Sequence, residues 1–377
     1  MRVYADHGAT TPVDPRVLAA MLPYFSEEFG NAGSVHAWGQ RAREAVDAAR
    51  EQVARAIGAS PAEVVFTSGA TESDNFAVVG AALANEDRGR HLVVSAVEHH
   101  AVLEPCRFLE SRGFAITYVP VDTQGRVDPG RVRGALRADT VLISVMHANN
   151  EIGTIQPVAE IGRMARERDI LMHSDAAQTA GLVPVDVGDL SVDLLSLSSH
   201  KRYGPKGVGA LYVRTGARLS RVQHGGAHER NRRAGTENVA GIVGFGAALH
   251  LAHDLMAPEA ARLRAWRDRL RAAIAEIPGA HLHGDPEDAL PGTVSASFEG
   301  TDSESLLMAL DFRGIAASSG SACTSGSLEP SHVLRAIGVP PDVARGTVRL
   351  SLGRGTTADE VEYLIGALAE VVEQLRH

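Results

Sequence analysis

Two lysines stand in the whole chain, Lys201 and Lys206, among 37 lysines and arginines together. Both fall in the stretch Asp193-Leu194-Leu195-Ser196-Leu197-Ser198-Ser199-His200-Lys201-Arg202-Tyr203-Gly204-Pro205-Lys206-Gly207. Arginine supplies positive charge anywhere, but it is not deprotonated in a protein and so serves neither as an amine nucleophile nor as a proton shuttle. A lysine retained in such a chain therefore points to amine chemistry. The apolar run Leu194 to Leu197 reads as a short buried strand, and strand ends in α/β proteins are where ligands sit. There Lys201 could form a Schiff base with a carbonyl, most commonly that of pyridoxal phosphate, and then move protons at a substrate's α-carbon. The alternative is a surface lysine beside a Gly-Pro turn, and for Lys206 in Gly204-Pro205-Lys206-Gly207 the two readings stand level.

Other polar groups have the spacing to join it. Asp175 closes the run Ile170-Leu171-Met172-His173-Ser174 one strand earlier. A carboxylate there can keep a pyridine nitrogen protonated and so make the ring an electron sink, or it can simply act as an N-terminal cap before Ala176. Ser68-Gly69-Ala70-Thr71-Glu72 is a small-residue turn between a strand and a helix. Such a turn directs backbone N–H groups at a phosphate, with Ser68 and Thr71 adding hydroxyls, or Thr71 caps the helix. His99-His100 and Asn149-Asn150-Glu151 also come just after apolar runs. The two cysteines differ in setting. Cys106, between Pro105 and Phe108, suits burial as a small apolar group, whereas Cys323 lies in Ala317-Ser318-Ser319-Gly320-Ser321-Ala322-Cys323-Thr324-Ser325-Gly326-Ser327, which has no apolar anchor and reads as a long mobile loop carrying a reactive thiol.

The elements that must position these groups are set by periodicity. Strands ending near Thr67, Ala96, Val145, His173 and Leu197 alternate with helices, the signature of an α/β fold with a mainly parallel central sheet and flanking helices. Helical spacing covers 40–57, the stretch from Thr71 to about Ala84, 158–168 and 240–256. From about Pro258 the pattern changes to an Arg- and Ala-rich helix to Ile277, a strand Val294 to Phe298, a helix near 303–310 and a last helix over 358–375. That suggests a large domain over 15–257 and a smaller α/β domain from 1–14 and 258–377, carrying the cysteine loop at about 316–328. The acidic balance, 46 Asp and Glu against 37 Lys and Arg, leaves no footprint for nucleic acid. Two cysteines make no disulfide framework, the amino terminus has no signal-like apolar core, and Ala240 to Met256, broken by His250, His253 and Asp254, reads as a packed helix and not a membrane span. The expected compartment is cytoplasmic.

Together these motifs resemble pyridoxal-phosphate enzymes of fold type I, aminotransferase class V, and within them the cysteine desulfurases of iron–sulfur cluster assembly and nitrogen fixation. The resemblance is carried by Asp6-His7-Gly8-Ala9-Thr10-Thr11-Pro12, Thr67-Ser68-Gly69-Ala70-Thr71-Glu72-Ser73, Glu98-His99-His100-Ala101-Val102, Asn149-Asn150-Glu151-Ile152-Gly153, Ser174-Asp175-Ala176-Ala177-Gln178, the lysine stretch, Arg233-Ala234-Gly235-Thr236-Glu237-Asn238, Ser321-Ala322-Cys323-Thr324-Ser325-Gly326 and Arg349-Leu350-Ser351-Leu352-Gly353-Arg354. It implies that Lys201 bonds pyridoxal 5'-phosphate, Asp175 pairs with its ring nitrogen, Gln178 bonds its phenolic oxygen and His99 stacks on the ring. Ala70, Thr71, Ser198, Ser199 and His200 would surround the phosphate, and Thr236 would reach a phosphate in the partner of a homodimer. Asn150 and Arg354 would hold the cofactor and substrate, Arg354 gripping the substrate's α-carboxylate. Gly8 stands where alanine is usual in the family, and Ser199 where glycine is frequent.

The implied reaction takes L-cysteine to L-alanine. Lys201 removes the α-proton, the Cys323 thiolate attacks the substrate sulfur, and the resulting persulfide passes to an iron–sulfur scaffold or another sulfur acceptor. A transient cluster through Cys323 is conceivable, with no permanent metal site. A selenocysteine lyase, another class V aminotransferase or lyase, and a non-catalytic scaffold are the alternatives.

Overall fold

The computed structural model describes residues 1–320 and 331–376. The apolar runs form a seven-stranded sheet in the order Val64–Thr67, Gly209–Val213, Leu194–Ser198, Leu171–Asp175, Thr140–Ser144, His91–Ser95, Ala115–Val119. From Leu194–Ser198 to Ala115–Val119 every pairing is parallel, while Gly209–Val213 runs antiparallel to both its neighbours. That strand was not anticipated. It returns directly from the Lys201 turn, and a tight return permits only antiparallel pairing. Apart from Ala115–Val119 at one edge, every residue of these strands is buried, which explains their near-continuous apolar character.

Alternation along each strand divides the core between the two faces of the sheet. Val93, Leu195 and Leu197 pack on one side with the helices Ala37–Ala56 and Val158–Arg166, and Leu92, Val94 and Leu194 on the other with Ala70–Ala84 and His100–Glu110. The Ala70–Ala84 helix lies against several strands and buries residues around most of its circumference, from Ser73 to Ala82, so it shows little amphipathic pattern. Its entry turn needs a glycine opposite it. A Cβ on Gly209 would stand 2.8 Å from the Gly69 backbone, so only glycine lets that strand pass the turn.

A second apolar core gathers around the antiparallel strands Ala280–His283, Thr293–Phe298 and Thr347–Ser351, with the helices Ser303–Phe312 and Ala358–Leu375. The amino terminus belongs to it. Val3–Tyr4 pairs with Ile315–Ala316, and Val3 and Ala5 are buried there. The chain enters the first core after this amino-terminal segment and returns to the second through one helix, Val239–Ala275, which runs continuously through Pro258 and across the boundary drawn from the sequence at 257 and 258. Proline removes one backbone hydrogen bond and crowds the preceding turn. Packing on both sides outweighs that cost: Gly244 meets Met21 and Gly246 meets Ala49, while Leu263, Leu270 and Ile274 enter the second core. By length and composition this helix could cross a bilayer, yet its glycines are spent on close packing within the fold.

Candidate active site

The carboxyl ends of the parallel strands open onto a cavity of about 530 Å³ lined by groups from seven of the motifs singled out in the sequence. Lys201 lies three residues beyond the strand Leu194–Ser198, and its Nζ donates to the carbonyls of Gly8 (2.6 Å) and Ala9 (2.8 Å). Burial, then the nearby Arg349 cation, lowers its pKa to about 8, so a usable share of free amine exists near neutrality. Gln178 reaches the same turn, its Nε2 donating to the Gly8 carbonyl at 3.0 Å. The turn at position 8 is tightly packed: a Cβ there would lie 3.1 Å from Ser351 Oγ and 3.3 Å from Arg349 Cζ, so a larger residue would have to displace these side chains slightly.

Asp175 is the last residue of its strand, where Oδ1 accepts the Ala177 N–H at 2.8 Å. Burial, then the neighbouring Asp74 carboxylate, pushes its pKa upward. A cation on a ligand placed beside this carboxylate would reverse that shift. Beneath it His173 bonds Ser144 Oγ through Nδ1 (2.8 Å) and Ser196 Oγ through Nε2 (3.1 Å), and burial lowers its pKa to about 4, so it stays neutral. His99 caps the His100–Glu110 helix. Its Nδ1 accepts the Ala101 N–H at 3.1 Å, which leaves the proton of the neutral ring on Nε2, and burial holds its pKa below the ordinary value. Behind it the buried Glu98 accepts from Ser95 Oγ (2.5 Å) and the Met146 N–H (2.7 Å), fixing the strand end that carries His99.

The opposite end of the cavity suits an anion. Ala70 and Thr71 open the fifteen-residue helix Ala70–Ala84, whose first N–H groups have no partner within the helix. Beside them Ser198 Oγ is buried with no hydrogen-bond partner. His200 completes this wall, its Nδ1 3.1 Å from Thr10 Oγ1.

Three of the expected residues stand elsewhere. Ser199 is fully buried and turns away from the cavity; a Cβ on Gly204 would come 2.0 Å from its Oγ. Thr236 is exposed and does not line the cavity of its own chain. Arg354 is likewise absent from the lining, because its guanidinium is already committed. Nε bonds Glu259 Oε2 at 2.9 Å, NH1 bonds Asp14 Oδ2 at 3.0 Å, and the group stacks 4.2 Å from the Tyr203 ring centre. The arginine that lines the cavity is Arg349, in the strand Thr347–Ser351. It is oriented by Asp6 Oδ1 (2.8 Å) and the Asn150 carbonyl (2.8 Å), and its Nε is buried without a partner. Asn150 lines the cavity beside it, presented by a turn in which Asn149 Oδ1 accepts the N–H groups of Glu151 (2.9 Å) and Ile152 (3.0 Å). The signal for Arg349 was strand alternation: Val348, Leu350 and Leu352 enter the core, so Arg349 faces the other way. Cys106 is fully buried, its thiol pushed up to about 12 chiefly by burial, and is inert as expected. Cys323 lies outside the described residues.

The profile of the aminotransferase class-V family matches residues 3–364. The chain belongs to this family. A curated relative, cysteine desulfurase IscS of Dictyoglomus turgidum, is 52% identical over 375 residues, covering 99% of this chain and 95% of its own length. Among solved structures, a NifS-like protein superposes with a TM-score of 0.93 at 39% identity, over 99% of this chain and 100% of its own. Another, described as SspA in complex with cysteine, gives 0.84 at 40% identity over 93% and 99%. The family and the named relatives make this chain an enzyme of the cysteine desulfurase type.

Proposed function

We propose that the cavity holds pyridoxal 5'-phosphate, that its substrate is L-cysteine, and that the products are L-alanine and a persulfide on Cys323. The observation that carries this reading is the meeting, in one cavity, of the Lys201 amine with the Asp175 carboxylate, His99 and the unpartnered Ser198 hydroxyl. The residues present fit the cofactor. Ser198, Thr71 and the helix N-terminus suit its phosphate, Asp175 its ring nitrogen, Gln178 its phenolic oxygen and Lys201 its aldehyde. When bound, it supplies an electron sink conjugated to the substrate's α-carbon.

The chain's own groups supply the rest. Arg349, with its buried Nε–H free, takes the substrate α-carboxylate, and Asn150 beside it limits how the substrate turns. Lys201 Nζ removes the α-proton, a role suited to an amine whose pKa burial has lowered to about 8. His99, its proton on Nε2, stays neutral and can donate to the bound pair. The part of Cys323 rests on its sequence setting. Its thiolate attacks the substrate sulfur, a sulfur–sulfur bond forms, the Cβ–S bond breaks, and the electron pair remains with carbon. The exposure of Thr236, outside its own chain's cavity, suits service to the phosphate of a second copy, so the working unit is read as a homodimer. An iron–sulfur scaffold or another acceptor protein then takes the sulfur.

Alanine and sulfide released from L-cysteine in the presence of a thiol reductant should appear in equal amounts with the native protein and be absent with Cys323→Ala. Release of both by the variant would remove Cys323 from the mechanism. A second result concerns pH. With the amine at about 8, about a tenth is free at pH 7. Capture of added pyridoxal phosphate by cofactor-stripped protein should accelerate about tenfold per pH unit below 8 and level off above it. A flat stopped-flow absorbance profile across pH 6 to 9 would contradict this assignment.

A further inference from the structure

Arg202 is the neighbour of Lys201, yet its buried guanidinium meets no carboxylate in an ion pair among the described residues. Its donors go to backbone carbonyls. Nε bonds the Ala180 carbonyl at 2.8 Å, NH1 the Lys201 carbonyl at 2.8 Å, and NH2 the Gln178 carbonyl. A buried cation with no direct ion pair is costly to desolvate, so its retention calls for a purpose. Three buried carbonyls without donors would be costly as well, and the flat fork of a guanidinium matches their spread where a methylene chain or an ammonium does not.

Two of the three carbonyls it collects belong to Gln178 and Lys201, whose side chains line the cavity. Gln178 stands on the turn after Asp175, and Lys201 on the turn after the neighbouring strand, and their side chains both converge on the Gly8 carbonyl. No backbone ladder joins these two turns beyond Asp175 and Ser196, the last paired residues of the two strands. We propose that Arg202 is a positioning residue whose guanidinium, bonded to the carbonyls of Gln178, Ala180 and Lys201, fixes the Gln178 amide and the Lys201 amine relative to one another. This rests on the reading that the cavity holds pyridoxal phosphate on Lys201.

The charge acts in one direction. Burial first, and then Arg349, disfavour the protonated form of Lys201; Asp175 and Asp6 favour it, and Arg202 adds a smaller push against it. Arg202 itself is faced by Tyr203, Glu259 and Arg354. Removing the Arg202 charge therefore favours a proton on the lysine nitrogen. Losing the clamp also releases the Gln178 amide from the oxygen with which that nitrogen would share its proton, and this acts the same way.

The test compares the native holoenzyme with Arg202→Met and Arg202→Lys, reading thermal melting and the pH midpoint of the visible absorbance of the bound cofactor. The methionine variant should shift the midpoint upward by about half a unit or more. The lysine variant, which keeps the charge without the fork, should shift it by less while losing cofactor faster than native on dilution. Both should be read well below their melting temperatures. Lower melting with an unmoved midpoint and native cofactor retention in both variants would reduce Arg202 to a structural residue and overturn the proposal. A native protein that shows no visible cofactor band would instead overturn the reading on which the proposal rests.

Discussion

Arg349→Ala is expected to lower kcat/KM for L-cysteine by about 10²- to 10³-fold, mostly through KM, because it deletes a desolvated bidentate grip on the substrate carboxylate. Arg349→Lys should recover part of this, since an ammonium keeps the charge toward Asp6 without the planar fork. The same change at the other arginine of Arg349-Leu350-Ser351-Leu352-Gly353-Arg354 should behave oppositely. Arg354 is paired with Asp14 and Glu259 and is mostly buried; Asp14 keeps Arg16 as a partner, so Arg354→Ala strands the Glu259 carboxylate and costs on the order of 2 kcal/mol of stability. Below its melting temperature it should keep KM within about twofold, since it reaches no substrate. Steady-state kinetics beside denaturant melts of both variants would decide it, and a KM effect confined to Arg354 would reverse the assignment.

Lys201→Arg should abolish turnover, by at least about 10³-fold, while leaving the fold intact. Arginine has the length and charge to hold the Gly8 and Ala9 carbonyls, so melting should stay near native. Guanidinium neither bonds an aldehyde reversibly under these conditions nor gives up a proton near neutrality. The visible band of the native holoenzyme should therefore be missing, and externally added cofactor should leave on gel filtration. Residual alanine formation above about a hundredth of native would show that another base serves the α-proton.

Much of this site was legible because chemistry here is carried at strand ends. Lys201, Asp175, His99 and Thr71 each come after a run of residues buried on both faces, and such runs show in composition alone. What escaped was the direction of side chains. Ser198 and Ser199 are equivalent by type, but one enters the cavity and the next turns toward Gly204. Arg349 and Arg354 are likewise equivalent in a motif, and only the alternation of Val348, Leu350 and Leu352 into the core separates them. Asp74 was missed, and no role was read for Glu98 or Glu151 within their motifs, for another reason: the influence of these carboxylates on the site depends on burial and proximity, which distant segments create together. Helix continuity through Pro258 was hidden because packing on both sides overrides a local breaker.

That uninterrupted helix has a mechanical consequence. At 37 residues it is a strut about 55 Å long, rooted in both cores, where a hinge would need a few soft backbone torsions. Its weakest point is Pro258, where one hydrogen bond is missing, and the next residue, Glu259, is tied through Arg354 to Asp14. The arginine that the motif suggested for the substrate is thus a cross-brace at the one joint where the strut would buckle. With that joint braced, the helix resists a jaw-like motion of one core against the other.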